Sequence, residues 1–405
     1  MNFASATSQH PSPTQAVGEV VGAIQEQIAG NIDVCMLFAT DAYGDSLWEI
    51  ASTIDALLMP GVLIGCVAGA VIGKDQEIEF GPGISILAGQ IGAICAIEFS
   101  EDPYQGWVEP EIRWDSQKHS WIQALGNSQA SAMILLANRD TFPLEDFVAW
   151  SSSALPDLPI IGGVVPRLLN EGPTMFLGGH IRHHGAVGLI LGSDVQFQTV
   201  LSHGCHPIGS PMAVTKCHDS IIYELAGRPA LDQLKVLARD ELTPEEVQMI
   251  NDGALRIGRV LDEGAEFYGR SDFTILGVLG ADPDRQAIAV TDFIEVGTTV
   301  QFHLADGKKA DEDLDISLIG RKANAGLIFS STDRGSKMFT KPHHDANALD
   351  RALGNVPIAG FFTESEICNS VGQNFISTTS ASILLLSEKI NTSDKRSFKR
   401  RHKQR

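Results

Sequence analysis

Apolar and polar positions follow one order three times along this chain: an apolar run, an amphipathic helix, a second apolar run closing on glycine, then a glycine-broken hairpin. The first copy reads as a strand at 34–38, a helix at about 45–58 and a strand at 62–65 ending on Gly65. The second reads as 132–136, about 143–155 and 159–162, ending on Gly162. The third reads as 325–329, about 345–353 and 357–360, ending on Gly360. Each strand–helix–strand unit is most simply a right-handed crossover onto a sheet, and the hairpin after it adds antiparallel strands. The expected class is therefore α/β (α+β): mixed β-sheets built from repeated strand–helix–strand–hairpin units, stacked and flanked by helices.

Between the copies the periodicity predicts further elements. Val17, Val20, Val21, Ile24 and Ile28 form one stripe of a helix at 15–28. Strands are expected at 92–99, 187–191, 195–203, 212–217 and 220–225, then at 273–279, 287–291, 298–303 and 382–386. Helices are expected at 229–239, at 243–251 and, with an acidic face, at 310–323. Thr243-Pro244-Glu245-Glu246 has the N-cap, first-position proline and acidic first turn of a helix start. Residues 102–127 are polar and rich in Trp (Trp107, Trp114, Trp121), with some helix expected. The strand-dense joint near 217–220 divides the chain into 1–30 (a disordered Ser/Thr/Pro-rich lead and the first helix), 31–218, 219–387 and a basic, disordered tail at 388–405.

Charge and cysteine usage narrow the class. The net charge of −20 argues against nucleic acid as a partner. From Lys389 onward eight Lys or Arg stand against one Asp, so the acidity belongs to the body of the chain. Cys35, Cys66, Cys95, Cys205, Cys217 and Cys368 form no CxxC pair and sit mostly in apolar runs, as suits a reducing, cytoplasmic setting. The N-terminus lacks the basic start and apolar stretch of a secretory signal. Residues 56–73 carry no charge and place Gly61, Gly65, Gly69 and Gly73 at GxxxG spacing. Pro60 interrupts them, and the sibling segments 155–163 and 353–361 are too short to span a bilayer, so no membrane span is expected.

Several motifs fail on spacing. Gly69-Ala70-Val71-Ile72-Gly73-Lys74 has three residues between its glycines and Asp75 after the lysine, which is not a phosphate loop. Gly65-Cys66-Val67-Ala68-Gly69 resembles a nucleophile elbow but centres on Val67. His203-Gly204-Cys205-His206-Pro207 is the densest reactive cluster. In an extended run His203 and Cys205 share a face, and three such groups do not close a tetrahedral zinc site. It reads either as a haem or metal site using His203, His206 or Cys205, or as a turn with hydrogen-bonded histidines. Cys205 or Cys66 would be the nucleophile of a cysteine-dependent enzyme. Arg334 follows the central strand of the third copy, where α/β sheets favour ligands, and its guanidinium suits a carboxylate. Glu364 and Glu366, at i and i+2 on a strand, would share a face and suit an amine. Asn374 and Phe375 lie in the next turn.

Ser202-His203-Gly204-Cys205-His206-Pro207-Ile208-Gly209, Val214-Thr215-Lys216 and Ile222-Tyr223-Glu224-Leu225-Ala226-Gly227-Arg228-Pro229-Ala230-Leu231 then take on a joint meaning. With Ala310-Asp311-Glu312-Asp313-Leu314, Asp333-Arg334-Gly335 and Val356-Pro357-Ile358-Ala359-Gly360-Phe361-Phe362 they make the chain resemble the FIST family. That family is named for F-box and intracellular signal transduction proteins. The resemblance runs from about residue 33 to 386 and implies an N-terminal and a C-terminal FIST domain with a sensory role. It implies small ligands such as amino acids, a signalling protein as partner and, in some members, haem-dependent gas sensing. It carries Arg334, Gly335 and Glu366 over as ligand-binding residues, with Glu364, Asn374, Phe375, Gly204, Cys205, Pro207 and Gly209 around them. The chain departs from the family pattern at three places. Ser331-Thr332-Asp333 stands for Cys-Asn-Gly, Ser365-Glu366-Ile367-Cys368-Asn369 for Gly-Glu-Ile-Gly-Pro, and Ser377 for a histidine. No F-box or kinase-like segment is found. The expectation is a stand-alone intracellular sensory protein, not an enzyme, that binds an amino-acid-like ligand without a cofactor.

Overall fold

The computed structural model describes residues 1–99, 114, 118, 125, 129–155, 157–168, 172–265, 267–269 and 272–388. Most of the Trp-rich segment, including Trp107 and Trp121, and the basic tail from 389 on lie outside the described residues.

The three copies appear as three six-stranded mixed sheets. The first copy comprises β1 (Asn2–Ser8), α1 (Pro13–Gln27), β2 (Val34–Thr40), α2 (Leu47–Leu58), β3 (Val62–Ala68), the hairpin β4 (Val71–Ile72) and β5 (Glu77–Ile78), and β6 (Ile84–Gln90). The second comprises β7 (Ile94–Phe99), β8 (Ala130–Ala137), α3 (Leu144–Ala154), β9 (Ile160–Val164), the hairpin β10 (Met175–Leu177) and β11 (His180–Arg182), and β12 (Ala186–Gly192). The third opens with β13 (Gln196–His203) and leaves for a separate barrel. That barrel contains β14 (Cys205–His218), β15 (Ile221–Leu225), β16 (Arg228–Pro229), α4 (Ala230–Asp240), α5 (Pro244–Met249), β17 (Leu255–Val260), β18 (Phe273–Asp282), β19 (Ala287–Val290) and β20 (Thr299–Ala305). The third copy then resumes with α6 (Gly307–Leu318), β21 (Ala325–Ser331), α7 (His344–Leu353), β22 (Ile358–Thr363), the hairpin β23 (Glu366–Ser370) and β24 (Gln373–Ser377), and β25 (Ser380–Ser387).

In each copy the central strands β2/β3, β8/β9 and β21/β22 run parallel, and β6, β12 or β25 returns antiparallel beside the first of them. The hairpins do not stay home. The first copy's β4 pairs with β22 of the third, the second copy's β10 with β3 of the first, and the third copy's β23 with β9 of the second. The hairpins add antiparallel strands as expected, but each adds them to a neighbouring copy's sheet. This exchange gives every sheet an edge from a neighbour and ties the three copies into one body.

Alternation along the central strands explains why they read as nearly continuous apolar runs. Val34, Met36 and Phe38, Ala132, Ile134 and Leu136, and Ala325, Leu327 and Phe329 face one shared core between the sheets. Cys35, Leu37 and Ala39 face α1 and α2; Met133, Leu135 and Ala137 face α3; Ile328 faces α6 and α7. The three recurring glycines have one cause. A Cβ on Gly65, Gly162 or Gly360 would lie 1.7, 1.8 or 1.9 Å from the carbonyl oxygen of Leu37, Leu135 or Ile328 across the parallel pair.

Three further expectations change. The lead is not disordered at 2–8, because β1 pairs residue for residue with β6 and buries Phe3, Ala4 and Ser8. Its small polar composition suggested disorder, but ladder hydrogen bonds supply what side chains do not. The strands at 212–225 belong to a closed barrel, β14-β20-β17-β18-β19-β15, in which β14 also pairs with β15. The 218/219 joint therefore falls in the turn between two paired barrel strands. Residues 56–73 are the end of α2, then β3 and β4, and no helix among the described residues is long and apolar enough to cross a membrane.

Candidate functional site

The carboxyl end of β21 carries the hydroxyls of Ser330 and Ser331, and the chain then turns through Arg334 toward α7. Arg334 is 1% exposed, so its charge needs partners. Its Nε donates to Asp345 Oδ2 at 2.8 Å and its Nη2 to Asp345 Oδ1 at 2.7 Å. Ser330 Oγ donates to Asp345 Oδ2 at 2.7 Å, and His344 Nδ1 lies 2.9 Å from Oδ1. Burial alone would raise the Asp345 pKa; the Arg334 charge and these hydrogen bonds outweigh it and hold the carboxyl well below the usual range. Arg334 Nη1 has no hydrogen-bond partner in the protein.

The first copy's hairpin completes this end. Glu77 Oε1 accepts from the backbone N–H groups of Asp345 (2.7 Å) and Ala346 (3.0 Å) and so caps α7 from another copy. Burial, then the nearby Asp345 carboxylate, pushes Glu77 up to about 7.

On the other side, Glu366 opens β23 and is fully buried. Its Oε2 accepts from Ser380 N at 3.0 Å, while Oε1 has no partner. Burial raises its pKa well above the ordinary value, against the pull of the Ser380 amide and of Arg334. His203 ends β13 opposite Ser380, with its Nδ1 3.2 Å from Ser380 Oγ and its backbone N–H donating to Asp313 on α6. Its Nε2 is buried without a partner, and burial lowers its pKa to about 4, so the ring is neutral near pH 7. The Arg334 charge bears on the titration of both Glu366 and His203, and Ser380 touches both side chains. Arg334, Glu366 and His203 thus converge where β21, the β24–β25 turn and the β13–β14 joint meet. The barrel closes the rim: Arg256 on β17 pairs with Asp333 at 2.8 Å and donates to Thr379 Oγ1 at 2.9 Å.

The structure places the remaining sequence candidates as follows. Gly335 adjoins Arg334 with φ +64°, a left-handed conformation that favours glycine. Glu364 is exposed in the bend before β23 while Glu366 is buried, so the two carboxylates do not share a strand face. Asn374 braces the second copy: its Oδ1 accepts from Ile160 N and its Nδ2 donates to Ser151 Oγ and Leu158 O. Phe375 and Ser377 alternate onto the face that Glu366 and Cys368 occupy on β23. Ser377 Oγ lies 3.1 Å from Ser380 Oγ. Gly204 is the bend between β13 and β14, and residues 205–209 are the start of β14 and not a turn. Gly204 packs against Thr379 O, Pro207 is exposed on the barrel, and Gly209 lies against Leu237 of α4.

Arg334 does not offer a two-pronged clamp to a ligand carboxylate, because Asp345 already occupies that edge. Cys205 and Cys66 are buried; burial pushes the Cys205 thiol up to about 12 and Cys66 well above its ordinary value, so neither is poised as a nucleophile. Among the described residues no group of three or more His, Cys, Asp or Glu could hold a metal ion. His203 is enclosed, and His206 lies three residues on, in β14. Asp345, Glu77, Asp313 and Arg256 were missed from the sequence. Asp345 carried a signal, as an acid in the first turn of a predicted helix; Glu77 carried none, lying 268 residues from the amide it caps.

Outside the pair lies a cleft of about 660 Å³ between α6 and α7, bordered by Lys308, Asp311, Phe339, Lys341 and His344. The Phe339 ring stacks flat on His344, with centroids 3.4 Å apart, and its centroid is 5.2 Å from the Arg334 guanidinium carbon.

Comparison with known proteins agrees with this architecture. The model of the FIST N domain matches residues 33–228 and that of the FIST C domain matches 230–369. An uncharacterized protein of Mycobacterium bovis is 31% identical over 386 residues, 93% of this chain and 96% of that one. One from Mycobacterium tuberculosis is 30% identical over 395 residues, 95% of this chain and 99% of that one. FIST domains are generally sensory, signal-transduction domains. With both modules matched in order and relatives alike over nearly their whole length, the chain belongs to the FIST family.

Proposed function

We propose that this protein is an intracellular sensor that binds a small, amino-acid-like ligand at the Arg334–Glu366–His203 site. The observation that carries this reading is that, of the buried polar atoms without protein partners, Arg334 Nη1, Glu366 Oε1 and His203 Nε2 belong to side chains linked through Ser380 and the Arg334 charge. A buried polar group without a partner costs about 1–3 kcal/mol, so such a set is retained where something repays it. Glu366 Oε1 accepts from the ligand's ammonium group, and Arg334 Nη1 donates a single hydrogen bond to its carboxylate or carbonyl. His203 is held on Nδ1 by Ser380 and contacts the ligand through Nε2.

The test is a thermal-shift screen of the purified protein with the standard amino acids and simple amines. One class should raise the melting temperature in a concentration-dependent way. Glu366→Gln keeps the shape of the side chain but cannot ionise against the ligand's ammonium group; affinity should fall about tenfold or more, the worth of a charge-assisted hydrogen bond. Affinity within about twofold of wild type would take Glu366 out of the role.

A further inference from the structure

We propose that residues 336–342 form a lid over Arg334, with Phe339 as its plug, and that the hairpin donated by the first copy latches that lid. The proposal rests on the reading of the Arg334 site as a ligand site and concerns how that site opens.

Geometry marks the segment as a separable unit. It is bounded by two left-handed residues, Gly335 at φ +64° and His343 at φ +59°. The second is costly for a residue with a Cβ and persists only where its surroundings enforce it. Thr340 and Lys341 are exposed and, among the described residues, make no hydrogen bond to the rest of the protein; Pro342 has no N–H to offer. Two apolar residues anchor it: Met338, half-buried against Gly204 and Gly307, and Phe339. Phe339 is buried, flat on His344 and over the Arg334 guanidinium, so it forms the layer between the 660 Å³ cleft and the buried charge pair. Displacing that one ring would give a ligand in the cleft a route to Arg334 Nη1.

The latch comes from the other domain. Glu79, just beyond β5, accepts from Ser336 N through Oε1 (3.0 Å) and Oε2 (2.9 Å), and from Ser336 Oγ at 2.7 Å. Glu77 N donates to His343 Nδ1 at 2.9 Å. Both ends of the segment are therefore fastened to one hairpin, which belongs to the FIST N module while the lid and Arg334 belong to FIST C. Opening must loosen bonds between the two modules, which gives ligand arrival a mechanical consequence in the N-terminal one.

Two measurements on the full-length protein, without ligand, test this. In hydrogen–deuterium exchange, peptides over 335–346 should exchange about tenfold faster than those over β21 and β22, and Glu79→Ala should speed them several-fold more while leaving the strands unchanged. Exchange of 335–346 together with β21 in one cooperative step, or no effect of Glu79→Ala, overturns the latch. In the second, phenylglyoxal modification of Arg334 is followed by peptide mass, with Arg239, 72% exposed, as reference. Phe339→Ala should accelerate modification of Arg334 about tenfold and leave Arg239 unchanged. Equal rates in the variant and wild type, or wild-type Arg334 already reacting as fast as Arg239, overturn the lid. Should Phe339→Ala fail to fold, Phe339→Leu carries the same test, since it keeps apolar bulk without the flat stack. A failed ligand screen leaves these rates untouched, and a failed lid leaves the Glu366→Gln result to stand on its own.

Discussion

The first and third copies share a scaffold and differ in how they finish the same strand. Where β2 ends, Thr40 donates its hydroxyl to Gly81 O and accepts from Gly83 N, at 2.9 and 2.8 Å. Its polar group is fully used in holding a turn, and the position has no further chemistry. Where β21 ends, Ser330, Arg334 and Asp345 form a buried charged cluster whose last donor is unspent. The second copy sides with the first, since Asn138 donates to His183 O and accepts from Asp140 N. At these three strand ends, among the described residues, the polar side chains of the first two copies close structure, and the third leaves a buried donor, Arg334 Nη1, without a partner.

The sharpest way to break this contrast is to remove the counter-charge. Asp345→Ala leaves Arg334 buried and unpaired, and the expected loss is about 3–5 kcal/mol. Thr40→Ala, at the corresponding strand end, removes neutral hydrogen bonds and should cost about 1–2 kcal/mol. Urea denaturation of both variants gives the two numbers side by side. Similar losses would mean that the Arg334–Asp345 pair is only another turn brace.

The opposite prediction sharpens what the copies share. Gly65→Ala, Gly162→Ala and Gly360→Ala each drive a methyl group onto a carbonyl oxygen of the neighbouring parallel strand. Each should lose about 1–3 kcal/mol or more, because backbone on both sides must move. The three losses should agree within about 1 kcal/mol if the copies are mechanically equivalent. A much smaller loss at Gly360 would show a third sheet loosened around its site.

Legibility in the sequence followed the range of the interactions. The parallel pairs and their glycines were readable because apolar period and chain order are local. The hairpin exchange was not, because nothing in Val71, Ile72, Glu77 or Ile78 says which sheet edge they will meet. The barrel was missed because its closing pair, β14 with β15, looks like any hairpin until β20 and β19 bring the far strands round. Within the site, Arg334 and Glu366 were found by their places after apolar strands, and His203 by its dense neighbourhood. Their partners Asp345, Glu77 and Asp313 were not, since a carboxylate on an acidic chain is unremarkable until burial makes it costly. The N-terminal strand misled for the converse reason: Ser, Thr and Ala read as a solvated lead, whereas the backbone of 2–8 makes the contacts.

The smallest effect concerns the carboxylate that joins the two copies. Glu77 has a folded-state pKa raised to about 7 from 4.5, so the folded protein holds a proton that the unfolded chain releases. Its contribution is fully favourable below about pH 4.5, and stability is lost as pH rises through about 7. His203 and His303, both lowered to about 4, act with the opposite sign: they cost stability as pH falls below about 6.5. The two trends offset each other between about pH 4.5 and 6.5, and the Glu77 trend stands alone of the two above that. Glu77→Gln retains an oxygen for the Asp345 and Ala346 amides and cannot ionise beside Asp345. The variant should therefore gain on wild type by roughly 1–2 kcal/mol between pH 6 and 8.5. Urea midpoints of the two proteins across that range provide the check. A constant difference would show that Glu77 is ionised throughout, in which case the α7 cap is held by full charge and the first copy is coupled to the third more tightly than burial alone implies.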